Sequence, residues 1–455
     1  MLSLRTRRFI AIIFVAVFLI VAPILIFYTA GYRYNFKKND IQKVGSISVQ
    51  PSPTTAKIYL NNELRTESRS DNTLRIMNLL PGKYKIAISA DGYYSWEKEI
   101  EVFSSVNTFI NKVVLFKKEK AVNIFEEPTS QLLPSPDNKK FAYITDNNLF
   151  AFNINNLQNT PLEEKTKILQ LSSWSISSTQ FIAQDVEKNF IIYNFDNPDK
   201  KLLPGGIINK KIDHLKWSDQ VDYLLYASSG NNLYQINTLT KESRLLYTKK
   251  PDIENYYGKD FLYLNNEIYY AHRSEQGNWL EKISLDQGIS QTNPTKLLKL
   301  DSMADFDFRQ NQNGTISLID REKQKFYLIN NNFNQILLFG EAKNFSWSTN
   351  QKTLLYNNDF EIWIYDYEKN TNQLVDRYGQ IINQTSFIPN TDYIITTTDN
   401  AVKIIELDAR DKRNSIDIAN GEKIKNFLVT PKGNKIFYNG KLDSKEGIFE
   451  ITIQE

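Results

Sequence analysis

The sequence predicts a mainly β protein: an N-terminal transmembrane helix, a small β-sandwich and an eight-bladed β-propeller, with seven blades as the alternative count. Three observations carry that expectation. An uncharged apolar run, Phe9–Tyr28, stands near the start. A stretch of about 70 residues after it alternates apolar and polar positions between turn signals. The remainder repeats a unit of four short strands at intervals of roughly 39 to 46 residues, the period of a propeller blade. The expected boundaries are 1–30 for a cytoplasmic tip and anchor, 31–43 for a linker, 44–117 for the sandwich and 118–455 for the propeller.

Phe9–Tyr28 is long enough to cross about 30 Å of hydrocarbon as a helix. Pro23 is tolerated there, because membrane helices carry proline more often than soluble ones. A cleaved signal peptide is the competing reading. Its apolar region spans ~7–15 residues and ends in an A-x-A-like site. Here the run is longer, and Tyr28-Thr29-Ala30 places a bulky residue where a small one is wanted. The chain has no cysteine, so a lipid-modified cysteine is excluded. Arg5, Arg7 and Arg8 precede the span, while Arg33, Lys37 and Lys38 lie beyond it, which gives only a small positive-inside bias. Architecture decides the orientation: one N-terminal span before a large β-rich body is the usual design of a signal-anchored envelope protein. The expected location is therefore the cell membrane, single-pass, with a cytoplasmic N-terminus and an extracytoplasmic body. The absence of cysteine is neutral on compartment, since a chain this large folds without disulfides.

After a polar tether, Asn35–Lys43, Gly45–Gln50 and Ala56–Leu60 read as strands around a turn at Pro51–Thr55. Lys83–Ala90 alternates, with Tyr84, Ile86 and Ile88 on one face and Lys83, Lys85 and Ser89 on the other. Asp91-Gly92 signals a turn, followed by a strand through Val102 and another over Asn107–Leu115. Ile47-Ser48-Val49 with Pro51, Ala56–Leu60, Leu80-Pro81-Gly82-Lys83-Tyr84 and Asp91-Gly92-Tyr93 together resemble a PEGA domain. The naming tetrapeptide is altered, since Pro53-Thr54-Thr55-Ala56 keeps only its first and last residues. The resemblance implies a small β-sandwich of surface-exposed, membrane-anchored prokaryotic proteins, with no catalytic residues to carry over.

The repeat is clearest over Lys343–Tyr378. Four strands are expected there, Phe345–Ser348, Thr353–Asn357, Glu361–Tyr365 and Gln373–Asp376, separated by Asn- and Asp-rich turns. Such a sheet has two apolar faces and needs neighbours on both sides. Aligned on Trp347, the same column holds Pro134, Trp174, Trp217, Tyr263, Phe308, Phe387 and Val429. Nine residues further on, Tyr143, Tyr226, Tyr356 and Tyr438 form a second column, broken at Ala183, His272, Ser317 and Thr396. The last repeat (Phe427–Thr430, Lys435–Tyr438, Gly447–Ile453) lacks a fourth strand, and a spare strand, Ala121–Phe125, precedes the first repeat. Pairing the two closes the ring and hides both open edges. Leu133–Tyr143 leading to Asn148-Leu149-Phe150, echoed by Trp217-Ser218 and Trp347-Ser348, is similar to the repeat of TolB-like and WD-like propellers, which implies protein binding.

Chemistry is sparse. Two histidines, His214 and His272, and no cysteine exclude Cys-dependent zinc, iron–sulfur and thiol chemistry. No G-x-S-x-G, P-loop or dinucleotide fingerprint is present. Both histidines fall in blade strands and read as structural. Asp305 and Asp307 flank Phe306 and, two apart on a strand, share a face that can point to one lumen or pocket; a metal site there needs more ligands than the sequence places, and turn acceptors or ladder-edge caps are the plainer reading. Asp137 reads as a local acceptor for turn N–H groups. No catalytic, cofactor or metal residues are assigned. Nucleic acid is not an expected partner: net charge is +3, and the basic runs, Lys117–Lys120 and Lys210-Lys211, are short. Tyr93, Tyr94 and Trp96, beyond the Asp-Gly turn, are the candidate contacts for a protein or cell-surface glycan partner. The expected function is an envelope binding or scaffolding protein without catalysis. The alternatives are an enzyme with its site in the propeller funnel, and an assembly factor that captures strands at a blade edge.

Overall fold

The computed structural model describes residues 4–36, 38–66, 69–70, 72–163, 165–249, 256–258, 260–285, 294–301 and 305–455. Two compact units emerge. The first comprises Met1–Lys118 with Glu406–Ile416 and Gln454–Glu455; the second comprises Glu119–Ile405 with Asp417–Ile453. Helix is confined, among the described residues, to Leu4–Thr29 and the short Pro204–Ile208. Everything else with regular structure is strand.

In the first unit, Leu4–Thr29 forms one helix with Pro23 inside it. Its length and composition suit a single-pass anchor or a signal sequence. The next stretch departs from the expected linker. Tyr32–Asn35 and Asp40–Lys43 pair antiparallel as a hairpin, in register Tyr32↔Lys43. Asn39 takes the left-handed conformation at its tip (φ 54°), which asparagine tolerates well. The sandwich consists of two four-stranded sheets. One runs Asn107–Val114, Gly45–Ser52, Thr73–Leu79, Arg69–Ser70; the other runs Glu63–Arg65, Lys57–Leu60, Gly82–Ser89, Trp96–Val102. The strand expected to end at Gln50 continues through Pro51 to Ser52, because its neighbour Asn107–Val114 pairs with it in parallel as far as Ser52. Alternate residues fill the space between the sheets, among them Ile47, Val49, Ile58, Ile76, Ile86, Ile88 and Ile100, each nearly free of solvent. Each such side chain contributes about 1.5–3 kcal/mol relative to exposure. The motif residues have local jobs: the Tyr84 hydroxyl donates to the Leu80 carbonyl at 2.8 Å, and Gly92 turns the chain at φ +83°.

The second unit is a β-propeller. Among the described residues, seven sheets are each built from strands consecutive in sequence, and the fourth of them has five strands. An eighth sheet joins Phe427–Val429, Lys435–Leu442 and Lys445–Thr452 to Val122–Phe125 from the unit's other end. That closure is the one the spare strand predicts, in register Val122↔Glu450 and Phe125↔Ile448. Gly447 makes it feasible, since a Cβ there would lie 1.8 Å from the Phe125 carbonyl oxygen. Apolar clusters bridge neighbouring sheets, for example Ile144 and Leu149 with Phe181 and Ile191, and Leu132 and Phe141 with Leu428 and Phe437 across the closure.

The two sequence columns acquire physical reasons. Pro134, Trp174, Trp217, Trp347, Phe387 and Val429 each end the first strand of their sheet. The Trp174 indole donates to Leu133 O at 3.1 Å and that of Trp217 to Ser173 O at 3.3 Å, so each tryptophan ties its sheet to the preceding one. The hydroxyl next in sequence then accepts the N–H that opens the second strand: Ser135 from Lys140, Ser175 from Gln180, Ser348 from Thr353, Thr430 from Lys435. In the tyrosine column, Tyr143, Tyr356 and Tyr438 stack on their cross-strand partners Phe150, Trp363 and Phe449. Burial pushes Tyr143 and Tyr356 up to about 12.

Candidate functional site

The first strands of the third, fourth and fifth sheets bring together ionisable residues that lie far apart in sequence. His214 opens the strand His214–Trp217, and Lys216 shares its face. In the fourth sheet the first strand is split into Tyr256–Tyr257 and Leu262–Leu264, and Asp260 sits in the break. Asp307 opens the strand Asp307–Gln310 of the fifth sheet. The third and fifth sheets meet directly: Gln220 Nε2 donates to Gln310 Oε1 at 2.7 Å, and Gln310 N–H donates to Asp219 at 2.9 Å.

Asp260, 2% exposed, is the hub. Its Oδ1 accepts the Phe261 N–H at 2.7 Å and lies 3.4 Å from His214 Nε2. Its Oδ2 accepts the Phe308 N–H and the Lys216 ammonium, each at 2.8 Å. Lys216 also donates to the Phe308 carbonyl at 3.1 Å. Burial alone would raise the Asp260 carboxyl, but Lys216 and His214 outweigh it and hold it well below its ordinary range. Burial likewise opposes protonation of His214, yet the Asp260 carboxylate prevails and raises the imidazole above its usual value. Burial lowers Lys249 to about 8, with Asp260 and Asp213 pulling the other way, and its ammonium donates to Gly258 O at 3.0 Å.

His214, Asp260 and Asp307 offer ligand atoms within 4.8 Å of one another, a donor set that suits a hard or borderline divalent cation. The chain already supplies the countercharge. Lys216 occupies one oxygen of Asp260, and Arg321 Nη1 donates to Asp307 at 2.8 Å. A metal ion would have to displace two resident cations and compete with two backbone N–H groups.

The cluster also obeys a repeat that the sequence reading missed. The position three before each anchor is Gln131, His214, Asp260, Asp305, Asn344, Gln384 and Asn426, with Leu171 the exception. Gln131 accepts the Leu171 N–H (2.7 Å) and donates to the Leu171 carbonyl (2.9 Å) of the next sheet. Gln384 does the same with Phe427, at 2.9 and 3.2 Å, and Asn344 donates to Asn383 O at 2.9 Å. Asp260 belongs to this series of clasps between first strands. Tabulating that column would have found it.

The other singled-out residues separate cleanly. Asp305 precedes the strand and its N–H donates to Asp320, so the pair expected on one face does not act together; only Asp307 joins the cluster. His272 is buried in the second strand of the fourth sheet, 3.0 Å from Glu281, as a blade residue. Asp137 accepts the Ser135 hydroxyl and the Lys139 N–H within its own turn. Trp96 is a correction: it is 3% exposed, packed in the sandwich core, and its indole donates to Glu406 at 3.1 Å. On the strand Trp96–Val102 it falls in the inward register with Ile100 and Val102, so it forms no surface platform. Tyr93 and Tyr94 are half-buried; the Tyr93 hydroxyl donates to Glu455, and the Lys118 ammonium lies 5.6 Å from the Tyr94 ring centre.

Among the described residues, the second unit holds concave features with the dimensions of a ligand site. A cavity of about 710 Å³ lies beside the short helix Pro204–Ile208, bordered by Asp185, Lys188, Phe190, Leu203, Lys210 and Lys211. Asp185 spends its carboxylate on its own turn, accepting the N–H groups of Glu187 and Asn189 at 2.9 and 2.8 Å. Lys201, also on the rim, pairs with Glu163. Among the described residues, Lys188, Lys210 and Lys211 have no ion-pair partner, so the cavity carries uncompensated positive charge. No residue of this pocket was singled out from sequence except Lys210-Lys211, as a short basic run.

No family model and no curated protein matches the chain. Solved structures of similar shape exist at low identity. A eukaryotic initiation factor structure aligns with TM-score 0.45 and 13% identity over 73% of this chain and 90% of that one. The β-propeller domain of Cps50 (Swd1) from Myceliophteria thermophila gives 0.43 and 9%, over 74% and 100%. Hsv2 of Kluyveromyces lactis gives 0.42 and 9%, over 65% and 99%.

Proposed function

We propose that the chain is a membrane-anchored, extracytoplasmic binding or scaffolding protein of a prokaryotic cell envelope. In this reading the N-terminal helix stays as the anchor, the sandwich is a PEGA-like domain, and the second unit is a single eight-bladed ring. Its work is recognition, without catalysis. The observation that carries this is the saturation of the Asp260 carboxylate: it accepts hydrogen bonds from Phe261 N–H, Phe308 N–H and the Lys216 ammonium and has His214 3.4 Å away, while Asp307 is paired with Arg321. An enzyme with its site at these first strands is the competing reading, and it has to free Asp260 or Asp307 from its cation.

Recognition is assigned to the basic cavity, whose size and three unpaired lysines suit an anionic group on a protein or glycan partner. The test is binding of a hexuronate oligomer and of an acidic peptide to the full chain in nanodiscs. The wild type is compared with a Lys188→Ala, Lys210→Ala, Lys211→Ala variant at low and high salt. Expected is salt-sensitive binding of one probe that falls at least about tenfold in the variant, the scale of a 1.4 kcal/mol loss. Equal affinity in the two proteins removes the pocket from the proposal.

A further inference from the structure

The junction between the helix and the sandwich carries more apolar surface than a tether needs. Phe36 is 87% exposed, Ile41 58% and Tyr34 45%, all on or beside the hairpin. At the adjoining end of the sandwich, Met77, Phe103 and Val106 are also exposed. These residues share one end of the unit. Gly45 pairs with Leu79, two residues past Met77, and Ser46 N–H donates to Val106 O at 3.1 Å. Val44, next in the chain after the hairpin, bonds through its N–H to Gly31 O at 2.9 Å, just beyond the helix.

Arg33 fastens the three pieces. Its guanidinium lies 3.5 Å from the centre of the Tyr28 ring in the last helical turn and donates to Tyr28 O at 2.6 Å. It also donates to Asn78 Oδ1 of the sandwich at 3.3 Å. The apolar residues are therefore held at the end of the helix rather than trailing from it. Lys38 and Lys43 add positive charge on the same hairpin.

We infer that this hairpin and the Phe103–Val106 loop seat in the headgroup layer of an anionic bilayer and hold the first unit against the membrane surface. The inference rests on the anchor reading: the roughly 20 apolar residues of the helix use up the hydrocarbon thickness by Tyr28, so the next residues of the chain enter the interface. Aromatic side chains concentrate at that level, and basic ones gain about 1 kcal/mol each near anionic lipid. Six exposed apolar side chains gathered at one end of the unit beside Arg33, Lys38 and Lys43 suit a membrane surface better than water.

The chain contains no cysteine, so single-cysteine variants label cleanly. Phe36→Cys, Ile41→Cys, Val106→Cys, Phe18→Cys and Asp91→Cys full-length proteins are to be nitroxide-labelled. They are then placed in vesicles of about one-third phosphatidylglycerol, the anionic component that draws basic residues. Oxygen and nickel-chelate collision rates report depth. Asp91 lies beyond the far end of the strand Gly82–Ser89, whose near end pairs with Val102, so it serves as the aqueous reference. The seat predicts oxygen-favoured collisions at 18, 36, 41 and 106, with 91 in water. Aqueous behaviour at 36 and 41 with 18 in lipid overturns the seat and leaves the anchor standing. Aqueous behaviour at 18 overturns both. Immersion at 36 and 41 with 106 in water overturns the loop's share.

Discussion

Replacing Asp260 tests whether the charged cluster is a clasp. Asp260→Ala removes the acceptor of Phe261 N–H, Phe308 N–H and Lys216 and the ion-pair partner of His214 at once. Breaking a buried ion pair from one side costs about 3–5 kcal/mol. Two stranded N–H groups alone account for roughly 2–6 kcal/mol on the usual scale of 1–3 each, so a loss of about 4 kcal/mol is expected. Lys216→Met leaves the carboxylate with its backbone donors and His214, and about 2 kcal/mol is expected, the scale of a lost hydrogen bond to a charged group. The informative quantity is the coupling. If the pair acts as one device, the double variant is less destabilised than the sum of the singles by at least ~1 kcal/mol, because neither charge is left behind. Urea-dependent pulse proteolysis of the full chain reads all four corners. Additivity within about 0.5 kcal/mol would mean that the two residues act independently, and the clasp argument fails. The pH dependence has a fixed sign. The depressed Asp260 carboxyl contributes stability that is present above its unfolded value of ~3.9 and is lost as pH falls through its folded value.

Three further outcomes are expected, two from the geometry of the second unit and one from the proposed orientation. His214 has a raised folded pKa, so its contribution is complete below the unfolded value of ~6.5 and lost as pH rises through the folded one. The urea midpoint should therefore drop between pH 5 and 8 more in the wild type than in His214→Gln, and equal drops would deny His214 that part. Gly447→Ala forces a Cβ to within 1.8 Å of Phe125 O, and overpacking of that severity costs at least about 1–3 kcal/mol. Hydrogen exchange should accelerate in Val122–Phe125 and Lys445–Thr452 first, and unchanged protection would show that the closure tolerates a side chain. For topology, protease added to cells with an intact cytoplasmic membrane should degrade an epitope at the C-terminal strand. Protection until that membrane is opened would reverse the orientation.

Much of the second unit was legible because its signals are local and repeated. An anchor at the end of a first strand, a Ser or Thr after it, and a tyrosine nine residues later each satisfy one recurring bond or stack. The closing strand was legible because an unpaired edge at each end of the repeats implies a partner. The hairpin at 32–43 escaped notice because its strands are only four residues each and set Arg33 between Tyr32 and Tyr34, and Asp40, Gln42 and Lys43 around Ile41, which reads as polar tether. Trp96 was misjudged because a position just past an Asp-Gly turn suggests exposure, whereas strand alternation had already turned it inward. The lysine pocket draws on segments spread from Lys188 to Lys211, and proximity of that kind leaves no periodic trace.

The cluster's chemistry becomes simple beside its uncharged counterparts. Gln131 and Gln384 each use one amide to accept an N–H and donate to a C=O of a single residue on the next first strand, so the side chain imitates a strand neighbour. In the fourth sheet the first strand is broken at Asp260, and no amide is available there. Two side chains share the role instead. Asp260 accepts the Phe308 N–H, and Lys216 donates to the Phe308 C=O. An acceptor-only carboxylate and a donor-only ammonium together present the pattern of one glutamine amide. The ion pair between them cancels the charge that this division introduces, and His214 shares the remaining oxygen. Strong charges at this point are thus what the broken strand requires to keep its neighbours joined, and they require no substrate to explain them.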